Sequence, residues 1–204
     1  MFKYIAGNKQ YKLLNNCKNV LKKNKYPIVN FIVENNRYSK HKVANEYLKL
    51  LDNIDSNYKI ALKLSSLDFD INLITSLIDK YKSQNISVII DAEDNINYQK
   101  YNNITNDLTY NYNKNSFTVF KTYQLYRKDA LQELSSNINF HKKHDLYFAS
   151  KLVRGAYYNT EKNGTHLFKK KNILILVIIM LFLNVFNIIK VTTLLLLTIK
   201  ILLN

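Results

Sequence analysis

The sequence predicts an α/β chain: a partial (β/α)8 TIM-type barrel of about five βα units, followed by an apolar tail read as helical. Three observations predict it. Short runs rich in Val, Ile and Phe recur at residues 28–33, 59–64, 86–91, 117–122 and 148–153, with starts 31, 27, 31 and 31 residues apart. Segments with helical spacing lie between them. The runs close on polar groups at similar positions, which is how the functional face of such a barrel is built.

Residues 1–26 form a first region. Within it, 8–25 reads as a basic helix with Leu13, Leu14, Cys17, Val20 and Leu21 as its apolar stripe. It lacks the arginines of a mitochondrial presequence. Residues 27–171 carry the βα rhythm. Each apolar run is only a few residues long and rich in β-branched side chains, which suits a buried strand. Val43, Tyr47, Leu50, Leu51 and Ile54 then share one helical face, as do Ile71, Ile74, Ile78 and Tyr81. A weaker stripe follows in an Asn-rich background, with Ile96, Tyr101, Ile104 and Leu108. Ala130, Leu131, Leu134 and Ile138 make the next. A doubly wound sheet is the competing architecture, but the first run ends in Glu34-Asn35-Asn36-Arg37, with no phosphate-binding glycine.

Residues 172–204 differ in kind. Residues 173–183 are unbroken apolar, and a basic flank precedes them. Two readings stand side by side: one membrane span over 173–189, near the lower length limit, or an out-of-frame segment that does not belong to the design. The expected location is correspondingly open between membrane-associated and cytoplasmic, with mitochondrial as the alternative.

Composition excludes several classes. One cysteine, Cys17, rules out a disulfide scaffold, and three glycines with one proline rule out collagen-like or Pro/Gly-rich disorder. The net charge is +15, from 30 Lys+Arg against 15 Asp+Glu. Only Arg37, Arg127 and Arg154 are arginines; Lys, Asn, Ile and Tyr dominate everywhere, as AT-rich coding imposes. We therefore read the charge as compositional and expect no nucleic-acid partner.

Four clusters could carry chemistry. Lys63 closes the second run, flanked by leucines, and either snorkels outward or points into the mouth of the barrel. Asp91, Glu93 and Asp94 close the third; they read as a metal site or as an ordinary helix cap, and the absence of a nearby histidine speaks against a transition metal. His141 and His144 are placed in a solvated Lys-rich turn, and no metal is expected. The fourth run ends in Thr122-Tyr123-Gln124. The fifth passes through Lys151, Val153 and Arg154 into Gly155, where the backbone can approach a ligand, with Tyr157 offering a flat face beyond.

These residues carry a resemblance. Residues 151–157, KLVRGAY, resemble the signature of the proline dehydrogenase family. Residues 4–7 resemble its entry to the first helix, Ala61 to Leu64 its second-strand lysine motif, and IDAE at 90–93 and TYQ at 122–124 its third- and fourth-strand motifs. All occur in the family's order, over about residues 4–171. The resemblance implies an FAD-dependent flavoprotein that oxidises L-proline to Δ1-pyrroline-5-carboxylate by hydride transfer and passes electrons to a quinone-type acceptor at a membrane. It implies that Lys63 faces the proline carboxylate, Asp91 belongs to the network near the substrate, and Tyr157 packs over the substrate side. Tyr123 and Gln124 would lie along the flavin, Lys151 near its reactive nitrogen, and Val153, Arg154 and Gly155 against its ring or chain. The family's late paired arginines and its Gly-Thr-His motif are not found in register; Gly164-Thr165-His166 reads as a loop. Two alternatives accompany this reading: a truncated, catalytically inactive remnant, and a membrane-anchored basic binding module.

Overall fold

A computed structural model of the chain describes residues 10–30, 38–153, 157–161, 164–167 and 191–195. Strands and helices alternate as expected, and the strands pair in parallel. The chain divides into two compact units, 1–89 and 90–204, with the division falling inside the third strand.

The first unit opens with α1 (Gln10–Leu21), then β1 (Ile28–Asn30), α2 (Lys40–Leu48), β2 (Lys59–Lys63), α3 (Ile71–Ser83) and the start of β3 (Ser87–Asp91). Its strands lie in chain order. β1 pairs β2 in parallel, Asn30 opposite Ala61. Ser39 caps α2, its hydroxyl accepting from the Lys42 N–H; Asp70 caps α3 by accepting from the Leu73 N–H. The other Asp70 carboxylate oxygen accepts from Lys40 Nζ at 2.8 Å, tying one helix start to the other. Ile74, Ile78 and Tyr81 of the expected stripe are buried, with Leu77 added, while Ile71 at the helix start is exposed.

The second unit continues with α4 (Tyr98–Tyr112), β4 (Val119–Gln124), α5 (Ala130–Lys143), β5 (Phe148–Val153), the single turn α6 (Tyr158–Glu161) and β6 (Val191–Leu195). β4 pairs β5 with Thr122 opposite Lys151 and Gln124 opposite Val153. Leu134 and Ile138 of α5 pack on Tyr123, Phe148 and Leu152 in one cluster. Burying such side chains stabilises by about 1.5–3 kcal/mol each.

Four expectations need correction. The tail is not helical at its described residues: Val191–Leu195 is a strand parallel to β5, Phe148 opposite Val191. Val191, Thr192 and Thr193 favour extended backbone, and the free edge of β5 offers N–H and C=O groups to pair. Ile96 is not part of the α4 stripe: it precedes the helix and is 90% exposed. His141 is not solvated but buried on α5, edge-on to Phe148. The fourth strand runs 119–124 rather than 117–122, which carries Tyr123 and Gln124 into the ladder. Among the described residues no helix is long and apolar enough to cross a membrane. Residues 173–189, where the span was placed, lie outside the described residues, as do Glu34 and Arg37.

With only three glycines in the chain, left-handed helix exits fall to other residues. Asn24, Asn85 and Asp145 have φ of 53°, 58° and 52°. Each is followed by an N–H that reaches back five residues: Lys25 to Val20, Ile86 to Tyr81, Leu146 to His141. This is the Schellman geometry, and Asn and Asp tolerate it best after glycine.

Candidate functional site at the strand carboxyl ends

Alternation along β4 sets up the site. Lys121 and Tyr123 turn toward the helices, where Lys121 Nζ meets Asn106 on α4 and Glu133 on α5, and the Tyr123 hydroxyl accepts from Asn137 on α5. Thr122 and Gln124 therefore turn to the opposite face. Their register partners Lys151 and Val153 share that face.

On it, Lys151 Nζ lies 2.5 Å from Asp91 Oδ1, with the two side chains 12% and 20% exposed. Gln124 Nε2 donates to the Glu93 carbonyl at 2.9 Å. Its Oε1 is buried and accepts from no described residue, and Thr122 Oγ1 is likewise without a partner. Both side chains are 3% exposed. Buried polar atoms are nearly always satisfied, so two orphans on one face, beside a charge pair, make this face the candidate site; the other two such atoms among the described residues, Asn102 Oδ1 and His141 Nε2, belong to α4 and α5. Tyr157 reaches the same segment, donating to the Ala92 carbonyl at 3.4 Å.

The acids after β3 diverge. Asp91 pairs with Lys151, while Asp94 accepts from the Asn97 N–H and its side-chain amide at 3.0 Å. Asp94 therefore closes the turn ahead of α4 and does not cap the helix itself, whose N-cap is Asn97 with no side-chain cap bond.

A second polar cluster ties the loops together. Glu161 accepts from the Asn95 N–H at 2.7 Å, the Tyr126 hydroxyl at 3.0 Å and His166 Nε2 at 3.1 Å. The Arg127 guanidinium lies 3.5 Å over the Tyr98 ring, grips both oxygens of Asp129 at 3.1 Å and donates to Asn95 at 2.9 Å. Arg127 also bridges Leu167. The Gly164-Thr165-His166 stretch is a loop, as expected; a side chain at 164 would strike the His166 ring at 2.3 Å.

The structure thus gathers Asp91, Gln124, Lys151, Val153 and Tyr157 in the second unit. Tyr123, expected along the flavin, is turned into the helix layer instead, because it alternates with Gln124; burial raises its ionisation well above the usual tyrosine range. Lys63 closes β2 in the first unit, on the side of the strand shared with Ala61. Arg154 and Gly155 lie outside the described residues. Thr122 is the first letter of the TYQ motif but was given no role, and its parity with Gln124 puts it on the same face. Glu161 was missed because two of its three partners are 35 and 66 residues away.

Parallel strands alternating with helices, with functional groups at the strands' carboxyl ends, define a protein of the (β/α)-barrel class. The comparisons narrow the class. The proline dehydrogenase family model matches residues 15–171. Proline dehydrogenase 1, mitochondrial, of Drosophila melanogaster is 29% identical over 93 residues, 46% of this chain and 14% of the fly protein. A probable mitochondrial proline dehydrogenase of Schizosaccharomyces pombe is 36% identical over 80 residues, 39% of this chain and 16% of the yeast protein. Among solved structures, proline utilization A from Bdellovibrio bacteriovorus inactivated by N-propargylglycine superposes with a TM-score of 0.80 at 14% identity, over 95% of this chain and 25% of that one. A proline utilization A mutant from Bradyrhizobium japonicum gives 0.74 at 15% identity, over 93% and 23%. The chain belongs to the proline dehydrogenase family, and its matches span no more than a quarter of these relatives' lengths.

Proposed function

We propose that the chain contributes to proline catabolism as a flavin-dependent oxidoreductase that takes L-proline to Δ1-pyrroline-5-carboxylate. The observation that carries this reading is the pair of buried, unpartnered atoms, Thr122 Oγ1 and Gln124 Oε1, on the face that holds the Lys151–Asp91 pair. A flavin ring fits those needs, since it presents one ring N–H and two carbonyl oxygens along one edge. When bound, FAD supplies the hydride acceptor, and a quinone-type acceptor takes the electrons on.

The residues then divide the work. Gln124 Oε1 accepts from the ring N–H, with its amide nitrogen anchored on the Glu93 carbonyl. Thr122 offers a hydroxyl to a ring oxygen. Lys151 holds positive charge against the ring, and Asp91 fixes where that ammonium sits. Val153 follows Lys151 on the same strand, and the family resemblance assigns Arg154 and Gly155 to the ring or its chain. Lys63 supplies an ammonium for the proline carboxylate, and Tyr157 closes over the substrate. The names of the curated relatives support a mitochondrial location.

The test is uptake of FAD by the purified chain, followed by proline-dependent reduction of a dye. Yellow protein with proline-dependent turnover supports the reading. Colourless protein that takes up no added FAD sinks it.

A further inference from the structure

We propose that Tyr101 is a positioning residue of this site: its hydroxyl, wedged in the seam between β3 and β4, sets the spacing of the two strands that carry Asp91 and Gln124. The inference rests on the flavin reading for its purpose, but on geometry alone for its existence. Tyr101 comes from α4 and is 1% exposed. Its hydroxyl donates to the Thr122 carbonyl at 2.7 Å, with the Ile90 carbonyl at 3.4 Å, and accepts from the Thr122 N–H at 3.0 Å.

In a parallel ladder the N–H and C=O of one residue both point to the same neighbouring strand. Here both groups of Thr122 end on one phenol oxygen, and so does the carbonyl of Ile90. A side chain thus stands where strand would meet strand, immediately before Asp91 and two residues before Gln124. Burial raises the ionisation of this hydroxyl far above the usual range, so it stays neutral and can both donate and accept. Through the register of β4 with β5, Thr122 also sits opposite Lys151. Asp91, Gln124 and Lys151 are therefore each one or two residues, or one strand, from the wedge.

A tyrosine hydroxyl also reaches a strand in the first unit, but there it meets a backbone carbonyl and leaves the ladder in register. Tyr47 of α2 donates to the Ala61 carbonyl at 3.0 Å and lies 3.3 Å from Asn30 Oδ1, and Asn30 and Ala61 are register partners of β1 and β2. Tyr47 therefore provides a control: the loss of a buried tyrosine hydroxyl that contacts a strand without standing between two.

The experiment compares the full chain with its Tyr101→Phe and Tyr47→Phe variants, without ligand and then with FAD. By NMR on the ligand-free chain, Tyr101→Phe should speed exchange of the Thr122 amide at least about tenfold and shift the Asp91 carboxyl and Gln124 amide resonances. Tyr47→Phe should leave all three unmoved while lowering the melting temperature comparably. With FAD, Tyr101→Phe should weaken binding about tenfold and Tyr47→Phe should not. Unmoved Asp91 and Gln124 resonances in a folded Tyr101→Phe variant would overturn the proposal. If the parent chain binds no FAD, the flavin reading fails, and the ligand-free spectra still decide the role of Tyr101.

Discussion

Lys151 and Asp91 stand sixty residues apart in sequence and 2.5 Å apart in space. One closes on the site from β5, the other ends β3. A half-buried pair of this kind fixes an ammonium in one place, which a free lysine on a four-carbon stem would not keep. Breaking it from either end should therefore do more than remove a charge. We expect Asp91→Asn and Lys151→Met each to weaken FAD binding, and a double-mutant cycle on folding stability to return a coupling of about 1–3 kcal/mol. Additivity of the two substitutions would show that the contact does not hold the ammonium in place.

Lys121 is a buried cation of another kind. Burial lowers its pKa from 10.5, against which Glu133 pulls it back up. Removing Lys121 leaves Glu133 with the Tyr98 hydroxyl as its described donor, a loss of about 1–3 kcal/mol. Lys121→Met should therefore be severe in urea unfolding, and Lys121→Met with Glu133→Leu should recover most of the loss.

Alkaline behaviour follows from the tyrosines. Tyr81, Tyr98, Tyr101, Tyr123 and Tyr126 are all pushed above their ordinary 10.0 by burial. A group whose folded pKa is raised lends stability in full below the unfolded pKa and loses it as pH climbs beyond. Stability should fall from about pH 10 upward. Tyrosinate absorbance of these five should appear with unfolding, so a smooth titration in the folded state would contradict their burial.

Acid behaviour has a marker in His141. Burial lowers its pKa from 6.5, its Nδ1 lies 2.8 Å from the Asn137 carbonyl, and Nε2 has no described partner. In this case the unfolded chain binds the proton first. Stability is present above pH 6.5 and drains as pH falls below it. His141→Phe should flatten that slope below pH 6.5, as read by denaturant midpoints across pH.

Much of the fold was legible because it is local. The apolar runs predicted β2 to within a residue and β5 to both ends, and helical spacing found Tyr47, Ile74, Ile78, Leu134 and Ile138. Ile96 misled because its spacing suits a helix that begins two residues later. His141 misled because the lysines beside it face water while the ring turns inward. In the site, Lys151 and Asp91 could be named but not paired, since a pairing across sixty residues has no trace in spacing. Tyr123 and Gln124 were read together as one motif. Adjacent residues on a strand point to opposite faces, so a motif of three letters divides into a ligand-facing pair and a packing tyrosine. The strand in the tail escaped notice because Val191–Leu195 does not alternate.

The asparagine and aspartate exits of α1, α3 and α5 have a practical consequence. Each holds a non-glycine residue in a left-handed turn that costs about 1–2 kcal/mol, while glycine at the same place gives back about 0.5–1 kcal/mol through the freer unfolded chain. Asn24→Gly, Asn85→Gly and Asp145→Gly should then each gain a few tenths to one kcal/mol. The three lie at helix ends, apart from the residues assigned to the ligand. A chain rich in lysine and asparagine thus carries three conservative sites for raising its yield in a heterologous host.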